Sequence, residues 1–111
     1  MPNIKIFVDE TVFAARRDAL RSTLGPLRES VCTELAVKPE ACQIAVIPVM
    51  GAEGQALANM ELQYIARPER TPERIRAACT VFRALLEGAI GTLPEVRATP
   101  LDPSTYVALK G

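Results

Sequence analysis

The sequence contains no histidine and no tryptophan. Without histidine the chain cannot build a Ser-His-Asp or Cys-His nucleophile arrangement, and imidazole is excluded as a metal ligand. Aromatic residues make up 5% of the chain and hydrophobic residues 49%, so we expect an aliphatic core. The remaining candidates for acid–base chemistry are carboxylates, lysines, tyrosines, cysteines and the amino terminus of the chain.

The chain also lacks a surplus of charge, with 13 basic and 13 acidic residues. This balance argues against nucleic acid as a partner, because a phosphate backbone demands a basic surplus. No segment approaches the ~20 apolar residues of a membrane span, and the opening does not resemble a signal peptide. We therefore expect no nucleic-acid partner, no membrane contact and a cytoplasmic location.

Cysteine is scarce, and the three thiols of Cys32, Cys42 and Cys79 are not closely spaced. An odd number without a close pair predicts neither a disulfide framework nor a metal site. Cys79 falls on an apolar helical stripe and is interpreted as a small core residue. No cofactor or metal is indicated.

The chain of 111 residues fits one domain, 1–111, built from two similar halves at about 2–50 and 59–102. In the first half, 2–8 (PNIKIFV) and 42–50 (CQIAVIPVM) are typical of strands. The apolar run of the second predicts burial on both faces, although a proline weakens its far end or places it at an edge.

Between these strands, apolar residues recur at helical spacing from Phe13 to Leu35. Gly25-Pro26 predicts a kink there, or a new helix with the proline in its first turn. The helix is expected to end before Lys38-Pro39.

The second half repeats the order strand, helix, strand. Residues 60–67 (MELQYIAR) alternate like a strand, and Thr71-Pro72 is typical of a helix cap followed by a first-turn proline. Gly91 is expected to end that helix. Residues 95–101 (EVRATPL) predict a fourth strand, and 104–109 (STYVAL) a short edge strand.

This order predicts an α+β fold, a four-stranded mixed sheet with both helices on one face. Each long helix implies parallel pairing of its two flanking strands through a right-handed crossover. The opposite face would carry the exposed apolar residues Phe7, Ala45, Ile47 and Ile65. A two-layer domain with a bare apolar face needs a partner, so we expect an oligomer.

Pro2 stands directly behind the initiator methionine, at the start of the first predicted strand. Removal of Met1 would turn its nitrogen from an amide into a secondary amine that can accept a proton. An α-amino group titrates at roughly 8, and burial or nearby cations lower its pKa towards the range that suits a general base. The alternative is that proline merely begins a strand, where its missing N–H does no harm.

A strand-opening proline followed by a doubled strand–helix–strand arrangement resembles the tautomerase superfamily. The segment KPEACQIAVIPV (38–49) is similar to the macrophage migration inhibitory factor branch, and YIARPERTPE (64–73) to the malonate semialdehyde decarboxylase and dehalogenase branch. The length and the ending YVALKG (106–111) fit the carboxymethyl-hydroxymuconate isomerase branch. The resemblance covers nearly the whole chain and implies a homotrimer with the sheets inside and the helices outside.

The resemblance also implies an activity, keto–enol tautomerisation or isomerisation of a small 2-oxo (enol) carboxylate without a cofactor. Pro2 would be the general base, and Arg67 and Arg70 would bind the substrate carboxylate through planar two-point contacts. Lys38 would meet the substrate from the end of the first helix, and Ile65 would contribute its backbone N–H. The alternatives are that the arginines pair with neighbouring glutamates and that the lysine is a solvated helix-end cation.

Two departures from the resemblance narrow the chemistry. Cys42 stands where the decarboxylase branch has an aspartate, and the histidine of the cis-chloroacrylic dehalogenases is missing. Simple tautomerisation is therefore favoured over decarboxylation and hydration. Two other functions stay open: a non-catalytic trimeric scaffold or small-ligand-binding protein of the same fold, and a different ferredoxin-like domain that begins with proline by chance.

Overall fold

The computed structural model describes residues 2–110, which fold as two strand–helix–strand halves. The first half contains β1 (Asn3–Asp9), α1 (Glu10–Ala15), α2 (Arg17–Leu35), a single 3₁₀ turn (Pro39–Ala41) and β2 (Gln43–Val49). The second half contains β3 (Ala58–Ile65), α3 (Pro72–Ile90) and β4 (Glu95–Leu101). The loop over 50–57 joins the two halves.

The four strands form one mixed sheet in the order β2-β1-β3-β4. β1 pairs with β2 and β3 with β4 in parallel, and the halves meet where β1 runs antiparallel to β3. The expected α+β architecture and the parallel pairing within each half are confirmed. The long helices α2 and α3 contact each other, and both pack over one face of the sheet.

The core lies between the helices and this face. Every second residue of β1 and β3 points into it, and the apolar stripes of α2 and α3 cover it. The large side chains that are fully buried are apolar, and only one of them is aromatic: Ile4, Ile6, Val8, Leu20, Leu27, Val31, Met60, Leu62, Phe82 and Leu86, together with Pro2 and Pro94. Within residues 2–110, no helix is long and apolar enough to cross a membrane.

The first helical region is interrupted at a different residue from the one predicted. Arg16, with φ −119° and ψ 21°, separates α1 from α2, whereas α2 runs through Gly25-Pro26 without a new start. Pro26 is exposed, so water can satisfy the carbonyl that its missing N–H leaves without a helical partner. The break instead follows the short α1, which Asp9 caps by accepting a hydrogen bond from the Thr11 N–H at 2.9 Å.

Three of the predicted strands need correction. β2 is an edge strand without a single fully buried residue, so burial on both its faces was wrong and its edge position is confirmed. β3 begins and ends two residues earlier than 60–67, because the chain leaves the sheet after Ile65 for a tight turn. The tail over 104–109 forms no strand, and 102–106 is instead a turn in which Asp102 accepts from the Ser104 N–H at 2.9 Å.

The open face of the sheet is mixed, not uniformly apolar as predicted. Phe7 and Ile47 are neighbours on it, but the next row contains Lys5, Glu61 and Arg97 side by side on three strands. Charges of alternating sign on adjacent strands attract one another across the ladder. The open face therefore offers an apolar strip along β1 and β2 and a charged row across β1, β3 and β4.

Candidate functional site

One end of the sheet gathers most of the residues singled out in the sequence. The register pairs Asn3 with both Gln43 and Gln63, and Ile65 with Leu101. The start of β1, the start of β2 and the ends of β3 and β4 therefore meet at one edge. Pro2 lies at this edge, and the arginines that follow β3 leave from it.

A tight turn brings the two predicted arginines together. The Arg70 N–H donates to the Arg67 carbonyl at 3.0 Å, which closes a four-residue turn with Pro68 in its second position. Helix α3 begins directly afterwards, where the Thr71 hydroxyl accepts from the Arg74 N–H at 3.3 Å. The sequence RPERTPER (67–74) thus folds into a turn followed by the capped start of α3. This short segment carries three arginines, Arg67, Arg70 and Arg74.

Arg70 is held by the main chain. Its Nη1 donates to the carbonyl of Ile65 and its Nη2 to the carbonyl of Leu35, both at 2.7 Å. Leu35 is the last residue of α2, whose final carbonyls have no partner within the helix. Burial, followed by the charge of Arg67, lowers the pKa of the Arg70 guanidinium from its ordinary value. Its fork is thus engaged in joining α2 to β3.

Arg67, Arg70 and Arg74 line a small cavity between the end of α2 and the start of α3. Its volume is about 120 Å³, and its other walls include Leu35 and Ala36. Two acidic residues, Glu34 and Glu69, also face it, so its walls carry one more positive than negative charge. The cavity can accept a small anionic group, with Arg67 and Arg74 at its exposed rim.

The left-handed cap of α2 shapes the wall of this cavity. Ala36 has φ 54° and ψ 51°, and the Val37 N–H reaches back to the Cys32 carbonyl at 3.0 Å. This pattern is a Schellman motif built on alanine instead of glycine. It turns the chain sharply after Leu35, and the Leu35 carbonyl is then available to accept the hydrogen bond from Arg70.

Pro2 lines a second cavity at the same end of the sheet. It is fully buried, and its carbonyl accepts a hydrogen bond from the Gln43 N–H at 3.1 Å. The cavity of about 420 Å³ is also lined by Glu40 from the 3₁₀ turn and by Ala108, Leu109 and Lys110 from the tail. Pro2 therefore shares this cavity with one acidic side chain, Glu40, and one basic side chain, Lys110.

The remaining predicted residues, Lys38 and Ile65, line neither of these two cavities. Lys38 is exposed and precedes the 3₁₀ turn, where its carbonyl accepts from the Ala41 N–H at 2.9 Å. Ile65 ends β3, and its carbonyl is the acceptor of Arg70. The three arginines thus line one cavity, Pro2 lines another at the same end of the sheet, and Lys38 lines neither.

Several residues that line these cavities were not anticipated from the sequence, among them the charged residues Glu34, Glu40, Arg74 and Lys110. Arg74 follows Arg70 by four residues at the start of α3, a spacing that could have drawn attention to it. Glu40 and Lys110 reach the Pro2 cavity from a short turn and from the tail, and no local pattern marks either. In the part of the chain that the structure describes, no three Cys, Asp or Glu side chains cluster closely enough to hold a metal ion.

Solved structures with the same architecture identify the fold. The sequence matches no protein-family model and no curated protein. The structure is similar to a macrophage migration inhibitory factor-like protein from Entamoeba histolytica, with a TM-score of 0.73 and 12% identity over 96% of this chain and 94% of that one. It is also similar to a fused 4-OT wild-type symmetric trimer, with a TM-score of 0.74 and 17% identity over 99% and 92% of the two chains.

The chain has the tautomerase fold. A protein of unknown function from Vibrio cholerae has it too, with a TM-score of 0.74 and 16% identity over 96% of this chain and 83% of that one. The resemblance drawn from Pro2, the doubled pattern and the arginine pair is confirmed at the level of the fold. At these sequence identities, the shared fold does not by itself show that this chain has the activity of any of these proteins.

Proposed function

We propose that the protein is a cofactor-independent keto–enol tautomerase or isomerase of a small 2-oxo (enol) carboxylate, with Pro2 as its general base. The observation that carries the proposal is the position of Pro2 in the tautomerase fold, buried beside a cavity at the start of β1. Once Met1 is removed, the Pro2 nitrogen is a secondary amine. Burial disfavours its protonated form, so it is neutral and basic near neutral pH.

The carboxylate of the substrate binds to Arg67, and the positive charge of Arg70 supports it. Arg67 lines the arginine cavity from its rim and offers the planar fork that matches a carboxylate. Arg70 holds the turn in place through its hydrogen bonds to the carbonyls of Leu35 and Ile65, and its positive charge adds to that of Arg67. Lys38 is a second cation at the same end of the sheet, and the Ile65 backbone N–H is a donor to the substrate.

The reaction transfers one proton. Neutral Pro2 takes the proton of the enol hydroxyl, and the O–H electron pair stays on the oxygen to give an enolate. In the second step the oxygen pair forms the C=O bond and the C=C pair forms the new C–H bond. Protonated Pro2 then returns that proton to the carbon. Negative charge on the oxygen between the two steps is stabilised by nearby donors and cations, which act more strongly in a cavity that excludes water.

A homotrimer is part of the proposal. Fused 4-OT relatives of the fold are described as trimers, and the apolar strip of Phe7 and Ile47 on the open sheet face is a surface that a second copy would cover. The boundaries of the single domain and of its halves, 2–50 and 59–102, stay predictions.

The test is an ultraviolet assay of the ketonisation of phenylenolpyruvate, after intact mass has shown whether Met1 is removed. Pro2→Ala is compared with wild type, because alanine also permits removal of the methionine and changes only the secondary amine. Pro94→Ala is the matched control, since Pro94 is the other fully buried proline and lies before β4 at the opposite end of the sheet. We expect Pro2→Ala to lose most of the rate and Pro94→Ala to keep it.

The second candidate is a non-catalytic trimer of the same fold that binds a small ligand. The full burial of Pro2 favours it, because a buried proline is less accessible to a substrate. Equal inactivity of wild type and Pro2→Ala, with Met1 confirmed absent, would decide for this candidate.

A further inference from the structure

A cleft at the edge of the sheet, on the side of the helices, takes no part in the proposed tautomerase site. It lies where α1, the first half of α2 and the edge strand β2 meet, and its volume is about 290 Å³. Its lining residues are Phe13, Arg17, Leu20, Arg21, Leu24 and Val46. None of these residues lines the arginine cavity or the Pro2 cavity.

The floor of the cleft is apolar. Leu20 is buried, at 2% exposure. Phe13, Leu24 and Val46 are only half-buried, so each keeps apolar surface open to the cleft. Phe13 and Val46 also pack against the core, which fixes their positions. An aliphatic group laid on this floor would remove the remaining apolar surface from water, and that burial is favourable.

Two arginines stand at the rim of the cleft. Arg17 and Arg21 are exposed and lie one helical turn apart on α2, so they share a face of the helix. Among the residues that the structure describes, neither side chain has a hydrogen-bond or ion-pair partner. The acidic residue between them, Asp18, does not line the cleft. The two guanidinium groups are therefore available to an anion from solution.

The balance of charge separates this cleft from the other cavities. The arginine cavity also contains Glu34 and Glu69, and the Pro2 cavity contains Glu40. The cleft beside the second half of α2 is lined by both Arg28 and Glu29. Of these four cavities, only the cleft between α2 and β2 is lined by basic residues without an acidic one.

We propose that this cleft binds a small amphiphilic carboxylate, a molecule with one carboxylate group and a short aliphatic body. The carboxylate binds to Arg17 and Arg21, whose planar forks match its two oxygens. The aliphatic body lies on the apolar floor, and the methylene stems of the arginines add apolar walls. This binding site does not require tautomerase activity.

The charge and the size of the cleft select among amphiphiles. An amine of the same length would bring a positive charge against Arg17 and Arg21, and an alcohol would leave both arginines without a counter-ion. The volume of about 290 Å³ lies at the lower end of the roughly 300–1,000 Å³ of ligand pockets. A short aliphatic chain is therefore favoured over a long-chain lipid.

The experiment measures the binding of octanoate to the full-length native protein by isothermal titration calorimetry. Octylamine and octanol are matched probes with the same chain, and acetate is the carboxylate without the chain. We expect octanoate to bind more tightly than octylamine or octanol by about 10-fold or more, and acetate to show no detectable binding. The ¹⁵N chemical-shift changes caused by octanoate are expected to concentrate at 13–24 and 44–48.

Variants at the rim test the role of the arginines. Arg17→Gln and Arg21→Gln are each expected to raise the Kd of octanoate by about 10-fold, because a charge-assisted hydrogen bond is lost. Arg28→Gln, on the same helix outside the cleft, should leave the Kd unchanged. The double charge reversal Arg17→Glu with Arg21→Glu is expected to make octylamine bind more tightly than octanoate. Thermal melts verify that each variant is folded.

Three results would overturn the proposal. The first is equal binding of octanoate and octylamine to wild type. The second is a Kd that Arg67→Gln raises and Arg17→Gln does not, which would place the carboxylate in the arginine cavity. The third is the absence of octanoate binding, with or without binding to phosphatidylglycerol vesicles; binding to the vesicles would assign the cleft to a membrane surface. Reversal of the preference by the double variant, with shift changes confined to the cleft in wild type, would establish the site.

Discussion

The guanidinium of Arg70 donates a hydrogen bond of 2.7 Å to the carbonyl oxygen of Leu35, the last residue of α2. Its second hydrogen bond, to the carbonyl of Ile65, has the same length. One side chain thereby fastens the end of the first long helix to the end of β3. It also satisfies a carbonyl that α2 itself leaves without a partner. In this position Arg70 shapes the arginine cavity, and Arg67 is the arginine on its exposed rim.

Replacement of Arg70 by methionine is expected to lower the free energy of unfolding by about 2 kcal/mol. A hydrogen bond to a charged group contributes about 1.5–3 kcal/mol, and two partly buried ones are lost while methionine keeps some of the packing. Urea unfolding measures the change. The control Arg83→Met, at an exposed position on α3, is expected to stay within about 0.5 kcal/mol of wild type. Equal stability of the two variants would contradict the role given to Arg70.

Replacement of Arg67 by glutamine is expected to raise KM for an enol carboxylate by roughly 10- to 100-fold and to leave kcat nearly unchanged. A contact made equally in the ground state and the transition state affects binding alone, and its loss corresponds to about 1.5–3 kcal/mol. Steady-state ketonisation kinetics separate the two constants. Arg83→Gln, which removes the same charge from the outer surface of α3, should change neither. A fall in kcat at constant KM would place Arg67 at the reacting atoms instead.

Sedimentation of the native protein is expected to give a mass of three times the 12.0 kDa chain mass. Ile47→Asp would put a carboxylate into the apolar strip beside Phe7 and should dissociate the assembly, because an unpaired buried charge is costly. Val81→Asp is the matched control, since Val81 is 42% exposed on α3, away from the sheet. A wild-type monomer, or a trimer that survives Ile47→Asp, would count against assembly through the open sheet face.

Stability under reducing conditions is expected to fall as the pH rises from about 9 to about 11. Burial raises the pKa of Cys42 from its ordinary 9.0 to about 11. The native state therefore holds the proton in this window where the unfolded state has lost it, and the free energy of unfolding decreases with pH. One such group accounts for a slope of up to about 1.4 kcal/mol per pH unit.

Cys42→Ala is expected to show a shallower alkaline slope than wild type, whatever its stability at neutral pH. Burial also raises the pKa of Tyr64, so part of the slope remains. Urea unfolding at a series of pH values measures both proteins. Identical slopes would show that the Cys42 thiol titrates normally in the folded chain.

The parts of the fold that depend on local signals were predictable from the sequence. Thr71 and Gly91 bound α3 as expected: the hydroxyl of the first accepts from Arg74, and the second has φ 76°. Both signals act within one turn of the helix, so neighbouring residues suffice to recognise them. The two apolar stripes likewise predicted which faces of α2 and α3 are buried, since burial follows helical spacing.

Features that depend on residues distant in the sequence were harder to predict. Proline in an exposed helical position is tolerated, so Pro26 did not end α2 as its residue type suggested. The charged row of Lys5, Glu61 and Arg97 exists only because the register brings three strands together. For the same reason the sequence identified Arg67 and Arg70, three residues apart, but not Glu40 or Lys110 beside Pro2.

The central claim is that the nitrogen of Pro2 is a free amine, neutral near pH 7, and the most direct test observes that nitrogen. The chain contains nine prolines, and in protein labelled with ¹⁵N-proline only a terminal one can titrate. We expect a single titrating ¹⁵N resonance with a pKa below the roughly 8 of an ordinary α-amino group. Nine amide resonances that do not titrate, or a terminal amine that stays protonated at pH 8 and above, would contradict the assignment of Pro2 as the base.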